Sequence, residues 1–142
     1  MLGLLAEIKN HPKGLLTLFL TELWERFSYY GMRAILVLYL VSEHNNSNPG
    51  LGWSNSYAIK LYGWYTALVY LACIPGGIIG DKFLNNRDAV TIGGAFLCIG
   101  HLTLAIQNQY FFFIGLILII TGVGLLKPNI STLLGHLYKE HD

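Results

Sequence analysis

Apolar residues in this chain come in runs of about twenty, the length that crosses a hydrocarbon core, and four such runs follow one another. Backbone N–H and C=O groups in lipid need partners within their own segment, so runs of that length read as transmembrane helices. Hydrophobic residues make up 54% of the 142 positions and charged residues 12%, a balance unlike that of a soluble domain of this size. The formal net charge of +1 offers neither a basic face for nucleic acid nor an acidic tract, so no nucleic-acid partner is expected. The partner these runs do imply is a lipid bilayer.

The expected fold is therefore an all-α membrane protein of four transmembrane helices, with approximate spans at 14–42, 58–80, 89–106 and 110–138 forming one partial bundle over residues 1–142. The polar loop from His44 to Gly50 ends the first span, and a charged turn from Asp81 to Asp88 separates the second from the third. Only Gln107, Asn108 and Gln109 separate the third from the fourth, which predicts a tight antiparallel hairpin. Lys9 and Lys13 precede the first span, Lys82 and Arg87 lie in the second connection, and Lys139 follows the fourth; the other two connections lack Lys and Arg. Basic residues favour the cytoplasmic side, so both ends of the chain are expected there, in a multi-pass protein of a bacterial inner membrane. The start of the chain lacks a cleavable secretory pattern and reads as a retained helix. Cys73 and Cys98 lie inside apolar runs, where thiols act as small hydrophobes facing core or lipid.

Against this apolar background, Glu22, Glu25, Arg26 and Arg33 all fall inside the first span. An isolated ion near the bilayer centre costs at least about 2.5 kcal/mol, so four of them demand compensation. At about 100° per residue Glu22, Arg26, Tyr29 and Arg33 share a narrow arc, flanked by Glu25 and Tyr30, and carboxylates and guanidinium groups are expected to pair along that stripe. One reading is a self-neutralising cluster that fixes helix packing. The other is a wet site for a ligand with both a positive and a negative end, next to a carboxylate that exchanges a proton as its arginine is taken or released. Aromatic residues near the expected interfaces, Tyr62, Tyr65, Trp53, Trp64 and Tyr110, fit a headgroup belt and stay outside this candidate site.

The fourth span carries Lys127-Pro128-Asn129-Ile130-Ser131 just after Gly122 and Gly124. Proline removes a ladder hydrogen bond, and an ammonium at that depth needs a carboxylate, for which Glu22 and Glu25 are the candidates. A kink and a hinge are equally open for Pro128. Tyr70, in the second span, places a hydroxyl in an apolar setting and needs a partner.

The run Glu22-Leu23-Trp24-Glu25-Arg26-Phe27-Ser28-Tyr29-Tyr30-Gly31 resembles, at every specified position, the ExxERFxYYG signature of the proton-coupled oligopeptide transporters (POT/PTR), a branch of the major facilitator superfamily. Gly77 through Lys82 is similar to the Gly-x-x-x-Asp-Arg/Lys core of the major facilitator loop between helices two and three, and Lys127 to Ser131 resembles the lysine-bearing fourth helix of the peptide transporters. Where that loop usually has glycine and a basic residue, this chain has Asn85 and Asn86, and asparagine tolerates a left-handed turn.

The resemblance implies that Glu22, Glu25, Arg26 and Lys127 form a proton-coupling network, that Tyr29, Tyr30, Arg33 and Tyr70 contact a peptide, and that Gly77, Asp81 and Lys82 belong to a gating loop. It implies symport of di- and tripeptides with protons by alternating access, with small peptides as substrate and no cofactor besides the coupling proton; the residues themselves offer no nucleophile and base pair, phosphate loop or metal cluster at useful spacing, so no metal and no enzymatic activity are expected. A major facilitator has twelve helices with the substrate between two halves, so four helices imply an amino-terminal fragment whose remaining transporter helices are absent from this chain. The alternatives are a truncated non-transporting or assembly subunit, a four-helix dimeric transporter, and, within the family, nitrate or another small anion as cargo. A four-helix antiporter of lipophilic cations is disfavoured by Arg26, Arg33 and Lys127.

Overall fold

The structure is a computed structural model that describes residues 11–45, 47 and 49–141; Lys9, one of the basic residues used above, lies outside them. Four helices account for nearly all of it: α1 (Leu15–Val41), α2 (Asn55–Lys82), α3 (Asn86–Leu104) and α4 (Gln109–His141), with no strand among the described residues. By length and composition α2 and α4 each qualify to cross a membrane. The other two are more polar, since α1 carries Glu22, Glu25, Arg26 and Arg33 and α3 opens on Asn86-Arg87-Asp88.

The second connection is much shorter than its charges suggest. Asp81 and Lys82 close α2, Asn86 to Asp88 open α3, and only Phe83, Leu84 and Asn85 lie between them. The N–H groups of Phe83 and Leu84 both donate to the Ile79 carbonyl, which finishes α2, while Asn85 has φ −72° and caps α3 in an extended conformation. No residue other than glycine has positive φ among the described residues, so this turn does not use the left-handed conformation that asparagine permits. Gly77, Asp81 and Lys82 consequently belong to a helix end rather than a loop.

Small residues set how the helices pack. On α3 Gly93 and Gly100, two turns apart, face Gly122 and Gly115 of α4. A Cβ at Gly122 would lie 2.8 Å from the Gly93 carbonyl oxygen, and one at Gly115 would lie 2.9 Å from that of Gly100. Backbone therefore meets backbone along the whole seam, the packing that membrane helices favour where apolar side chains gain nothing by leaving lipid. Helix α2 uses the same device against α4, with Gly76 against Gly124. These two interfaces are the extensive ones, and α1 touches its neighbours far more sparingly.

The interior between the helices is filled by Tyr29, Leu36, Leu40, Tyr65, Ile119 and Val123. At one end of the bundle the chain after α1 folds back on it: Leu51, Gly52 and Trp53 donate backbone N–H groups to the carbonyls of Tyr39, Ser42 and Leu40 at 2.8–3.0 Å. Gly52, at φ +65°, makes the reversal, and orphan carbonyls of the last turn are thereby satisfied. At the other end a Cβ at Gly14 would lie 3.7 Å from the Leu137 side chain, and Asn86 bonds to Asn129. Lys13, Lys82, Arg87 and Lys139 thus gather at one end of the molecule.

Candidate functional site

Helix α1 buries Glu25, Tyr29, Met32, Leu36 and Leu40, a succession of positions three and four apart that defines a single face. The apolar members of that series fix the rotation of the helix, and Glu25 is carried inward with them. Glu22 and Arg26 fall beside this face, with side chains 40% and 49% exposed; Arg26 Nη2 donates to Glu22 Oε1 at 2.7 Å and Nε donates at 3.1 Å. Pairing along the stripe therefore holds for one turn only. It is the sole ion pair among the described residues, and neither Arg33 nor Lys127 reaches a carboxylate.

Both of those cations lie against tyrosine instead, Arg33 near three rings and Lys127 near one. Arg33 donates from Nε to the Tyr62 hydroxyl at 2.9 Å and from Nη2 to the same oxygen. Its guanidinium carbon lies 5.3 Å from the Tyr29 ring centre, 5.9 Å from Tyr30 and 5.0 Å from Tyr62. Lys127 places its ammonium 5.5 Å from the Tyr70 ring centre, not against Glu22 or Glu25 as expected. Ring faces attract cations without neutralising them, so both groups retain their capacity for an anion.

Glu25 is only 5% exposed, and its Oε1 has no hydrogen-bond partner. The hydroxyls of Tyr29, Tyr65 and Thr66 are likewise buried and unpartnered, so these orphan polar atoms all lie on α1 and α2. Glu25 also lines a cavity of about 610 Å3 between α1, α3 and α4, together with Thr21, Trp24, Ser28, Cys98 and His101 among others. Ser28 and His101 are hydrogen-bonded to each other across it.

At the end where the basic residues gather, Asn129 is fully buried in α4 and donates to the Gly76 and Leu125 carbonyls at 3.1 and 2.6 Å. A Cβ at Gly80 would overlap the Asn129 amide, so glycine there makes room for it. Asn86 donates to Asn129 Oδ1 and to Asp81 Oδ1, each at 2.9 Å, and joins α2, α3 and α4 through two side-chain amides. Gly77 lies against Pro128, whose Cβ would be 3.4 Å from a Cβ built at that glycine, and α4 runs unbroken through that proline.

The sequence profile of the POT family matches residues 87–142. A di-/tripeptide transporter of Lactococcus lactis is 49% identical over 134 residues, 94% of this chain and 27% of the relative. The crystal structure of a POT peptide transporter in complex with sulfate superposes with a TM-score of 0.87 at 47% identity, over 93% of this chain and 27% of that one. The chain belongs to the POT family. A further POT transporter, crystallised with a thioalcohol-conjugated peptide, is 39% identical with a TM-score of 0.82, over 95% of this chain and 29% of that one. The chain thus spans just over a quarter of the relatives it matches, and it is an all-α membrane fragment of that fold.

Within this POT chain, three residues outside the sequence-derived set join it. Tyr62 looks interfacial by position, yet it is the hydrogen-bond acceptor for Arg33. Tyr65, which fits the same belt by sequence, is 2% exposed and sits 6.3 Å from the Tyr29 ring. His101 appears isolated in sequence and bonds to a serine 73 positions away. A helical projection of α2 does place Tyr62, Tyr65 and Val69 on one side of the helix, but only the fold aligns that side with Arg33.

Proposed function

We propose that this chain supplies the amino-terminal part of the binding site of a proton-coupled symporter of di- and tripeptides that works by alternating access. The observation that carries the proposal is the unusual state of Arg33 and Lys127: two cations inside the helices, Arg33 among three tyrosine rings and Lys127 against one, with no carboxylate at ion-pair distance. A peptide carboxylate is the group such a cation would neutralise, and Tyr29, Tyr30 and Tyr70 offer rings and hydroxyls to the rest of a short peptide. Glu22 and Arg26 form a pair that a proton on the glutamate would loosen, while buried Glu25 is a second carboxyl able to carry a proton. Lys127 would take the carboxylates in turn as the transporter alternates, an exchange of partners that the tyrosine-held resting position leaves available. Asp81 and Lys82, at the end of α2 beside Gly77, would act in gating.

The clustering of Lys13, Lys82, Arg87 and Lys139 at one end supports placing that end in the cytoplasm, with the bundle in the inner membrane. No cofactor besides the coupling proton enters this scheme, and no enzymatic step. The test is uptake of a labelled dipeptide into proteoliposomes under an inward proton gradient, with the protein made from its complete reading frame compared with this chain by itself. Accumulation by the complete protein, abolished when the gradient is collapsed, is the expected result. Accumulation of nitrate but not dipeptide would replace the cargo, and gradient-driven uptake by the four helices alone would replace the fragment reading with a four-helix oligomer.

A further inference from the structure

We infer that Tyr62 is a positioning residue for substrate recognition: it holds one edge of the Arg33 guanidinium so that the opposite edge stays aimed for a bidentate grip on a peptide carboxylate. The inference rests on the reading of Arg33 given above. A guanidinium carries five N–H donors in a planar fork. The Tyr62 oxygen takes two of them, from Nε and Nη2, which occupies one edge and leaves three donors on the Nη1 and outer Nη2 side. That second edge has the spacing that matches the two oxygens of a carboxylate.

A long, unbranched arginine side chain has many rotamers, and ordering it at the moment of binding weakens affinity. Here the ordering is done beforehand by a residue of another helix: Arg33 belongs to α1 and Tyr62 to α2. The rings of Tyr29, Tyr30 and Tyr62 surround the plane, but ring faces alone do not define its rotation, because cation–π attraction tolerates a range of tilts. The hydroxyl of Tyr62 supplies the missing constraint. No carboxylate competes for the free edge among the described residues.

The experiment uses the protein from its complete reading frame and two probes, a labelled dipeptide and the same dipeptide with a carboxamide end. Tyr62→Phe keeps the ring and removes only the acceptor. Loss of this two-donor hydrogen bond to a charged group predicts that it raises KM for the dipeptide about tenfold, with maximal rate within about twofold. KM for the carboxamide should not change, because that probe gives the fork nothing to grip. KM does not depend on how much transporter folds, so a poorly produced variant still gives a reading. Arg33→Ala should remove the preference for the free carboxylate, and adding Tyr62→Phe to it should cost nothing more. If Arg33→Ala removes the preference and Tyr62→Phe leaves it intact, or if the two losses simply add, the positioning role is wrong while the Arg33 reading stands. If Arg33→Ala leaves both probes unchanged, the carboxylate assignment itself falls and takes the Tyr62 role with it.

Discussion

Between α3 and α4 four glycines bring backbone against backbone, whereas α1 touches the rest of the bundle sparingly and carries its ions along its length. Gly31 of α1 has nothing within 4 Å of an added Cβ; Gly122 of α4 has the carbonyl of Gly93 at 2.8 Å and the backbone nitrogen of Leu97 at 3.0 Å. Under the proposed function, the contrast separates a scaffold from a working helix. A seam made of backbone cannot give without separating the helices, while a helix held by a few buried side chains and two side-chain links, Arg33 to Tyr62 and Ser28 to His101, can change partners at small cost. Elements that move in a functional cycle are drawn from the weakly held part of a structure.

The sharpest way to break this contrast is to crowd the seam. Gly122→Leu should destabilise the bundle by about 3 kcal/mol or more, because the atoms in its way are backbone and have nowhere to go. Loss of monodisperse protein in detergent would register it. A well-folded Gly122→Leu protein would mean that α3 and α4 are not as tightly seated as the scaffold role requires. Next in size is Asn129→Leu, which removes donors to the Gly76 and Leu125 carbonyls and the acceptor for Asn86 in a fully buried position. The orphaned groups predict a loss of about 2 to 3 kcal/mol, read as a lower melting temperature, and an unchanged melt would show the Asn129 network to be dispensable.

On α1 the expectation reverses: function should fail before stability does. Glu22→Gln removes the charge that Arg26 faces at a half-exposed position, so its effect on melting should stay within about 1 kcal/mol. Proton-driven dipeptide accumulation should nevertheless be abolished, with counterflow exchange still measurable. Equal loss of both activities would argue for a structural ion pair and against coupling. Lys127→Ala, which leaves only the Tyr70 ring without its cation, should likewise uncouple transport, and accumulation at the unsubstituted level would remove Lys127 from the proton cycle.

Much of this division is legible in the sequence. Four helices, their order and the tight α3–α4 hairpin follow from apolar run length and the three polar residues between the last two runs. The glycines near Lys127 also signal close approach. What periodicity leaves open is the rotation of α1. An arc containing Glu22, Arg26, Tyr29 and Arg33 describes one face, but the apolar series Met32, Leu36 and Leu40 decides which neighbouring face turns inward, and it takes Glu25 with it. Lys127 rests against Tyr70 instead of its expected carboxylate for a related reason. Charge pairing alone ignores the geometry of α2, which presents Tyr70 to the ammonium and Tyr62 to Arg33. Asp81 to Asp88 reads as a loop because charge is a poor guide to helix ends when side-chain amides such as Asn86 can bridge them.

The smallest expected effect tests the openness of α1 most directly. Gly31→Ala meets no atom within 4 Å, and Gly31 lies inside a helix where alanine is intrinsically favoured over glycine by about 0.5 to 1 kcal/mol. In these four helices alone the substitution should therefore leave melting unchanged or raise it slightly. In the protein from the complete reading frame the same position faces whatever the rest of the transporter brings to α1. A neutral result there as well would mean that this side of α1 lies open to the substrate path or to lipid throughout. A marked loss confined to the complete protein would instead locate a helix packed on Gly31, and would place the boundary of the working surface on the Arg33 side of α1.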